Sequence, residues 1–357
     1  MSSSIQIPKI EDPKFEQQWN LKLMNVQPET AWSYTMGEGT VIGLIDSGID
    51  FTHVDLGSSK DVYITADYSD AGKKARYDAI LQDVRDGKHD KVLPGWNFLN
   101  DTDDIYDYYR HGTSVAGVML ADADNVGIVG VAPQAKVRPY VVADTRGYAT
   151  QDNLMKAINR AVDDGCDVIN MSLAWMRDYK VGVTEAAQNA IDKGVLVVAA
   201  AGNNDSALVY FPACIEGVIA VGGCNAVGQR WVHSVGRGSN YGAGLVCLAP
   251  SDAQTTTLYM RSRYETIDGT SLAAGNASGV MALLKSIDKK ITAHDVLSAM
   301  SKWQTWDNQK GYGVLDAYRL IKEFYGKQDP VKILFEKAYS LMGDLEETLN
   351  AIAIAVG

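Results

Sequence analysis

The sequence predicts an α/β protein with a mostly parallel central sheet covered by helices on both faces. Three observations carry the prediction. The 357 residues are 46% hydrophobic, enough for a large core and too apolar for a disordered chain. Short uninterrupted apolar runs such as Val41-Ile42-Gly43-Leu44-Ile45 read as strands buried on both faces. From about residue 135 onward such runs alternate with helical patterns, as parallel strands joined by crossover helices require.

Residues 1–40 form a polar lead-in, with a first helix expected near Pro28-Glu29-Thr30-Ala31-Trp32 and ending at Gly37. The first strand stops at Asp46-Ser47-Gly48, so Asp46 lies at the C-terminal end of a buried strand, where α/β sheets hold their ligands. An ordinary turn residue would look the same. Apolar residues at 77, 80, 81 and 84 in a charged stretch predict a surface helix, inserted over about 70–93. Pro94-Gly95-Trp96-Asn97-Phe98 then returns the chain to the core. His111-Gly112-Thr113-Ser114-Val115-Ala116-Gly117-Val118 opens a helix of small residues that needs close neighbours, so the ring at its start can project into a cleft. A strand over 135–142, helices over 152–164 and 184–193, and strands over 167–171, 195–200, 218–221 and 245–248 follow. Gly269-Thr270-Ser271-Leu272-Ala273-Ala274 feeds an apolar helix over 272–284. There the Ser271 hydroxyl sits where unpaired N–H groups and the helix dipole favour negative charge. Residues 326–357 have apolar positions at 331, 334, 338, 341, 345, 349, 352 and 356, facing away from Glu336, Asp344, Glu346 and Glu347. This predicts an amphipathic C-terminal helix that packs on the main domain (41–325) or meets a second copy or a partner.

The net charge of −11 argues against nucleic-acid and anionic-membrane binding, and no apolar run approaches membrane-spanning length. The first residues lack a signal-sequence pattern, so a cytoplasmic protein is expected, with a re-cloned secreted form as the alternative. Cys166, Cys214, Cys224 and Cys247 lie in or beside apolar stretches and are expected as free thiols, a Cys214–Cys224 bridge being the alternative. No pattern suggests zinc.

Asp46, His111 and Ser271 supply a carboxylate, a base of near-neutral pKa and a hydroxyl, the set that nucleophilic acyl transfer needs. Asn203, in Ala200-Ala201-Gly202-Asn203, ends a buried strand and can aim its amide at a developing oxyanion. The segments around these four residues resemble, in the same chain order, the signature segments of the subtilisin-like serine proteases, over residues from about 15 to 325. The resemblance implies a three-layer α/β/α sandwich. It also implies that Asp46 orients His111, that His111 is the general base and that Ser271 is the nucleophile, with Asn203 and the Ser271 N–H holding the oxyanion. By the same resemblance Ser172, Leu173, Ala174 and Trp175 pair with a peptide or protein substrate, Ala201 and Gly202 form a pocket wall, and Tyr210 lies at the pocket floor. A structural calcium ion, and no organic cofactor, is expected at Asp55, Asp122, Asp124, Val126 and Ile128.

The departures from the family matter as much. Trp175 and Tyr210 stand where relatives carry small residues; either Trp175 swings outward and changes little, or the pocket is narrowed, which points to selective processing of a peptide or proprotein. The acidic run Asp101, Asp103, Asp104 and Asp107 is either a solvated loop or a cleft rim that favours Lys or Arg. Ala274-Gly275-Asn276 replaces the usual Ala-Pro-His, and losing the proline is expected to open room beside Ser271. That room would let an amine replace water, making a peptide ligase or macrocyclase the alternative to an endopeptidase; a peptide-binding pseudoprotease is the non-enzyme alternative. Forty residues before the first strand are too few for the family's folded prodomain, so either it has been removed or the protein folds without one.

Overall fold

The computed structural model describes residues 9–57, 71–176, 181–258 and 263–326. Strands β1 (Val41–Asp46), β2 (Trp96–Asn97), β3 (Lys136–Val141), β4 (Val168–Met171), β5 (Leu196–Ala200) and β6 (Ile219–Cys224) build most of the central sheet. A short hairpin, β7 (Val232–Ser234) and β8 (Arg237–Gly238), precedes the last sheet strand, β9 (Cys247–Pro250). The order is β2-β3-β1-β4-β5-β6-β9, and every adjacent pair is parallel. Strands β4, β5, β6 and β9 are buried along their whole length, as expected when helices cover both faces.

The helices are α1 (Trp19–Leu23), α2 (Ala71–Arg85), α3 (His111–Leu120), α4 (Gln151–Asp163), α5 (Val181–Asp192), α6 (Thr270–Ile287), α7 (Ala293–Ser301) and α8 (Ala317–Tyr325). Helices α3 and α6 pack on each other and on the sheet, while α4 and α5 form a second packed pair, which completes an α/β/α sandwich. The winding reverses beside β1, so Asp46 sits at the C-terminal edge of the sheet next to its switch point, a natural ligand position.

Several elements differ from expectation. The helix expected near Pro28 is only a 3-10 turn, Ala31–Ser33, while α1 lies earlier; Thr30 Oγ1 donates to the Asn25 carbonyl and ties that stretch into a turn. The lead-in is also less polar in place than in sequence. Leu21, Met24, Val26 and Trp32 are buried in the main core. Helix α6 starts at Thr270 rather than Leu272, because Gly269 takes the N-cap position and places Ser271 in the first turn. An antiparallel hairpin, β10 (Gln254–Leu258) and β11 (Arg263–Ile267), was not predicted. It is held on α3 by side chains: Thr256 Oγ1 donates to the Ser114 carbonyl at 2.5 Å and Thr257 Oγ1 to the Thr113 carbonyl at 2.7 Å. All four cysteines are free thiols. Of the expected C-terminal helix, residues 327–357 lie outside the described residues.

Helix α2 in the inserted stretch packs Tyr77 against Phe51 and Tyr106 and buries Val84. Arg85 near its end grips Asp103 through two hydrogen bonds of 2.7 and 2.9 Å. This accounts for part of the acidic run. Asp101 accepts from the Trp96 indole, Asp104 from the Tyr106 N–H and the Tyr108 hydroxyl, and Asp107 is fully buried. The run is therefore not a free acidic rim.

Candidate active site

Asp46 ends β1 and His111 begins α3, and the two loops touch because residue 112 is glycine. A Cβ on Gly112 would lie 2.1 Å from the Gly48 carbonyl oxygen, so no other residue allows this approach. His111 Nδ1 and Asp46 Oδ1 are 2.7 Å apart. A carboxylate oxygen can only accept here, so Nδ1 carries the proton and Nε2 is the bare nitrogen of the neutral ring. The Ser47 N–H also donates to Asp46 Oδ1, at 2.7 Å, while the buried Oδ2 has no partner among the described residues. Burial pulls the imidazole pKa down, but attraction to Asp46, the hydrogen bond to it and the nearby Asp107 carboxylate prevail and hold it above 6.5.

Ser271 lies beside the cleft that His111 lines, bonded to Ser172 on its wall. Its Oγ donates to the Ser172 carbonyl at 3.4 Å, and Ser172 Oγ donates back to the Ser271 carbonyl at 3.0 Å. Asn170 Nδ2 donates to Ser172 Oγ and Ser278 Oγ to Asn170 Oδ1, so the end of β4 and the first turns of α6 are laced together. No hydrogen bond joins Ser271 to His111 among the described residues; such contacts commonly tighten only when substrate binds. Asn203 is oriented by Thr270, whose N–H and Oγ1 donate to Asn203 Oδ1 at 2.8 and 2.7 Å. Because the Thr270 N–H can only donate, the amide oxygen must face it, leaving Nδ2 as the outward donor.

The segment after β4 is open over part of its length. Leu173 and Ala174 make no main-chain hydrogen bond among the described residues, whereas the Trp175 N–H and carbonyl pair with Phe211 at 2.8 and 3.0 Å. Trp175 thus cannot offer its backbone to a substrate, which restricts the expected pairing to residues 172–174. Its side chain lines a cleft of about 380 Å³ together with His111, Tyr109, Tyr148 and Leu173. On the other side the Tyr210 ring lies on Gly202, 2.9 Å from where a Cβ would stand. Gly275 does not open the expected room. A Cβ there would be 3.1 Å from Val115 Cγ1, the Val115 carbonyl and Val118 Cγ2, so α3 already fills the space.

At the loop proposed for calcium, Asp55 is buried, and its Oδ1 and Oδ2 accept from the Tyr264 hydroxyl and the Ile128 N–H at 2.6 and 2.9 Å. Burial, helped by the Asp124 and Asp12 carboxylates, pushes the Asp55 carboxyl up to about 8 against those hydrogen bonds. The Asp122 carboxylate is turned instead to the buried Lys91 ammonium, 2.5 Å away. Asp12 was not anticipated: its Oδ1 accepts from the Asp124 N–H, and its buried Oδ2 has no partner among the described residues. The carbonyl of the fully buried Ile128 likewise accepts nothing among them. No three His, Cys, Asp or Glu side chains of the described residues form a ready metal cage. Calcium sites, however, draw on main-chain carbonyls as well as carboxylates, and the orphaned oxygens here fit that chemistry.

Residues 37–313 match the model of the Subtilase family. The chain belongs to that family, whose members are serine peptidases. It is 33% identical over 303 residues to a thermophilic serine proteinase of Bacillus sp. (strain AK1), covering 84% of this chain and 65% of that protein. It thus spans slightly less than two thirds of that relative's length. A major intracellular serine protease of Bacillus subtilis (strain 168) is 34% identical over 226 residues, covering 59% of this chain and 69% of its own. Among solved structures, a protease of Pseudoalteromonas arctica PAMC 21717 superposes with a TM-score of 0.71 at 24% identity, covering 88% of this chain and 99% of its own. A cold-adapted subtilisin-like serine proteinase gives 0.62 at 22% identity, covering 79% of this subtilase and 90% of its own chain. Those two establish the fold.

Proposed function

We propose that this subtilase is a serine endopeptidase that cuts a restricted set of peptides or proproteins through an acyl-enzyme. The observation that carries the reading is the 2.7 Å His111–Asp46 bond, with His111 lining a cleft whose wall residue Ser172 is bonded to Ser271 in the first turn of α6. Ser271 Oγ attacks the scissile carbonyl while His111 Nε2 takes its proton, and Asp46 stabilises the imidazolium. Asn203 Nδ2 and the Ser271 N–H bind the oxyanion, and His111 returns the proton to the leaving amine. Water then repeats the sequence to release the acid.

The free backbone at Leu173 and Ala174 supports strand-like pairing with substrate. Trp175, Tyr109 and Tyr148 favour an apolar side chain beside the histidine, and Tyr210 over Gly202 favours a small one at the cut. Where calcium binds, Asp12, Asp55 and Asp124 would hold it with the Val126 and Ile128 carbonyls; it would brace the loop and neutralise the buried Asp12 and Asp55 carboxylates and the half-buried Asp124. The Bacillus subtilis relative named as intracellular supports a cytoplasmic role. Ligation loses its argument because α3 occupies the space at Gly275.

The test is a peptide pool incubated with the protein and calcium, read by mass spectrometry beside a Ser271→Ala control. Fragments that gain water and vanish in the control are expected. Equal cleavage by the control would sink the assignment, and spliced products in excess would revive ligation. Failure of a fluorophosphonate to label Ser271 in the calcium-loaded protein would favour the pseudoprotease.

A further inference from the structure

Asp107 is fully buried, yet five donors converge on it. Oδ1 accepts from Ser47 Oγ at 2.8 Å, the Tyr109 N–H at 3.0 Å and the Arg110 N–H at 2.6 Å. Oδ2 accepts from the Thr113 N–H and Oγ1 at 2.8 and 2.6 Å. Three of the five are main-chain N–H groups, which can only donate, and the two hydroxyls donate beside them, an arrangement that suits the anion. Four of these bonds come from residues on either side of His111, Tyr109 and Arg110 before it and Thr113 after it. Arg110, immediately before it, is held at φ +77°, a left-handed conformation that a side chain disfavours and that persists only where its surroundings enforce it. Ser47 Oγ, while donating to Asp107, accepts the Gly112 N–H at 3.0 Å, and the Ser47 N–H reaches Asp46 Oδ1. One carboxylate therefore joins the turn that delivers the imidazole to the turn that delivers its partner.

We infer that Asp107 is a positioning residue for His111, clamping the strained Arg110 turn against the Asp46 loop and placing a second negative charge near the ring. The inference rests on the proposed triad. The titratable groups around the imidazole are Asp46 from β1, Asp107 and Tyr109 from the preceding turn, and Tyr148 across the cleft. Of these, Asp46 and Asp107 favour the imidazolium. Burial, joined by the Asp46 carboxylate, pushes the Asp107 carboxyl up on balance, and the Thr113 and Ser47 hydrogen bonds oppose that shift in favour of the anion.

Asp107→Asn replaces an acceptor by an amide NH2 that faces donors, and it removes the charge. The expected result is kcat lower by about 30- to 100-fold with KM within about twofold, as for a misplaced catalytic group. The acid limb of the pH–kcat/KM profile should move down by about half a unit to one unit. Ser47→Ala keeps the charge and loses only the bridge, so kcat should fall about five- to tenfold with the limb unmoved. It also carries the test if Asp107→Asn does not fold. Wild-type kcat and pH profile in folded Asp107→Asn, or wild-type kcat in Ser47→Ala, overturns the inference. Ser271→Ala run alongside separates the two failures: an active Ser271→Ala refutes the triad itself, and an inactive one beside a normal Asp107→Asn refutes only the clamp.

Discussion

Asn276, where the family usually carries histidine, is fully buried in α6 and satisfied on both sides of its amide. Its Oδ1 accepts from Asn20 Nδ2 at 3.0 Å, and its Nδ2 donates to Gln254 Oε1 at 2.7 Å, the Leu272 carbonyl at 3.0 Å and the Pro250 carbonyl at 3.2 Å. In Asn276→Ala the Pro250 carbonyl keeps a donor, Gln254 Nε2 at 2.6 Å, but Asn20 Nδ2 and Gln254 Oε1 lose theirs. Two buried polar groups left unpaired cost about 1–3 kcal/mol each, so the loss should be roughly 2–6 kcal/mol, before any cavity. Urea unfolding in a Ser271→Ala background, which removes self-digestion, measures it as a shift in midpoint. Asn20→Ala removes the same bond from the other end, so the double variant should cost less than the sum of the singles, with a coupling of about 1–2 kcal/mol. A single-variant loss below about 1 kcal/mol, or strict additivity, would refute the view that this pair seats the N-terminal segment.

Three further outcomes are expected. Because the proposed mechanism needs His111 neutral and its surroundings hold the imidazole above the usual 6.5, kcat/KM should fall through a midpoint above pH 6.5 as the medium is acidified. The same upward shift stabilises the fold fully below pH 6.5 and is lost as pH rises through the folded value; a midpoint below 6.5 would contradict it. Calcium at about a hundredfold over its Kd should stabilise the chain by about 2.7 kcal/mol. The corresponding rise in Tm is roughly 3–4 °C by calorimetry for a chain of this size. Asp12→Ala should abolish that increment, and equal Tm values with calcium and with chelator would dismiss the site. Trp175→Gly, whose backbone pairing with Phe211 can remain, should cut discrimination against bulky side chains at the apolar subsite by about tenfold or more, read as kcat/KM ratios on matched peptides.

The placement of the four residues of the proposed machinery was legible in local pattern, a strand end at Asp46, helix starts at His111 and Ser271 and a strand exit at Asn203, while their roles came only from the family resemblance. What escaped depends on partners distant in sequence. Deleting a proline ring at Gly275 reads as vacated room only until α3 is seen against it. The acidic run leaves solvated loop and cleft rim both open, because nothing local reveals Arg85 reaching back to Asp103. Asp12 lies more than a hundred residues from the loop it faces, and a lone aspartate in a polar lead-in carries no pattern. The hairpin β10–β11 is rich in Thr and charge, and its buried hydroxyls find their acceptors on α3, so alternation of apolar residues never marked it.

The Asn20–Asn276 bond spans 256 positions of the chain, and its consequence lies in the order of assembly. Helix α1 leaves the ribosome early but finds its seat only after α6 has been made, and closing so long a loop is slow compared with forming local contacts. Asp46 and His111 must likewise wait for Ser271. A nascent chain that has not reached α6 thus lacks both the proposed nucleophile and the buttress that fixes its N-terminal segment, so any capacity to cut protein should arise only once α6 has been made.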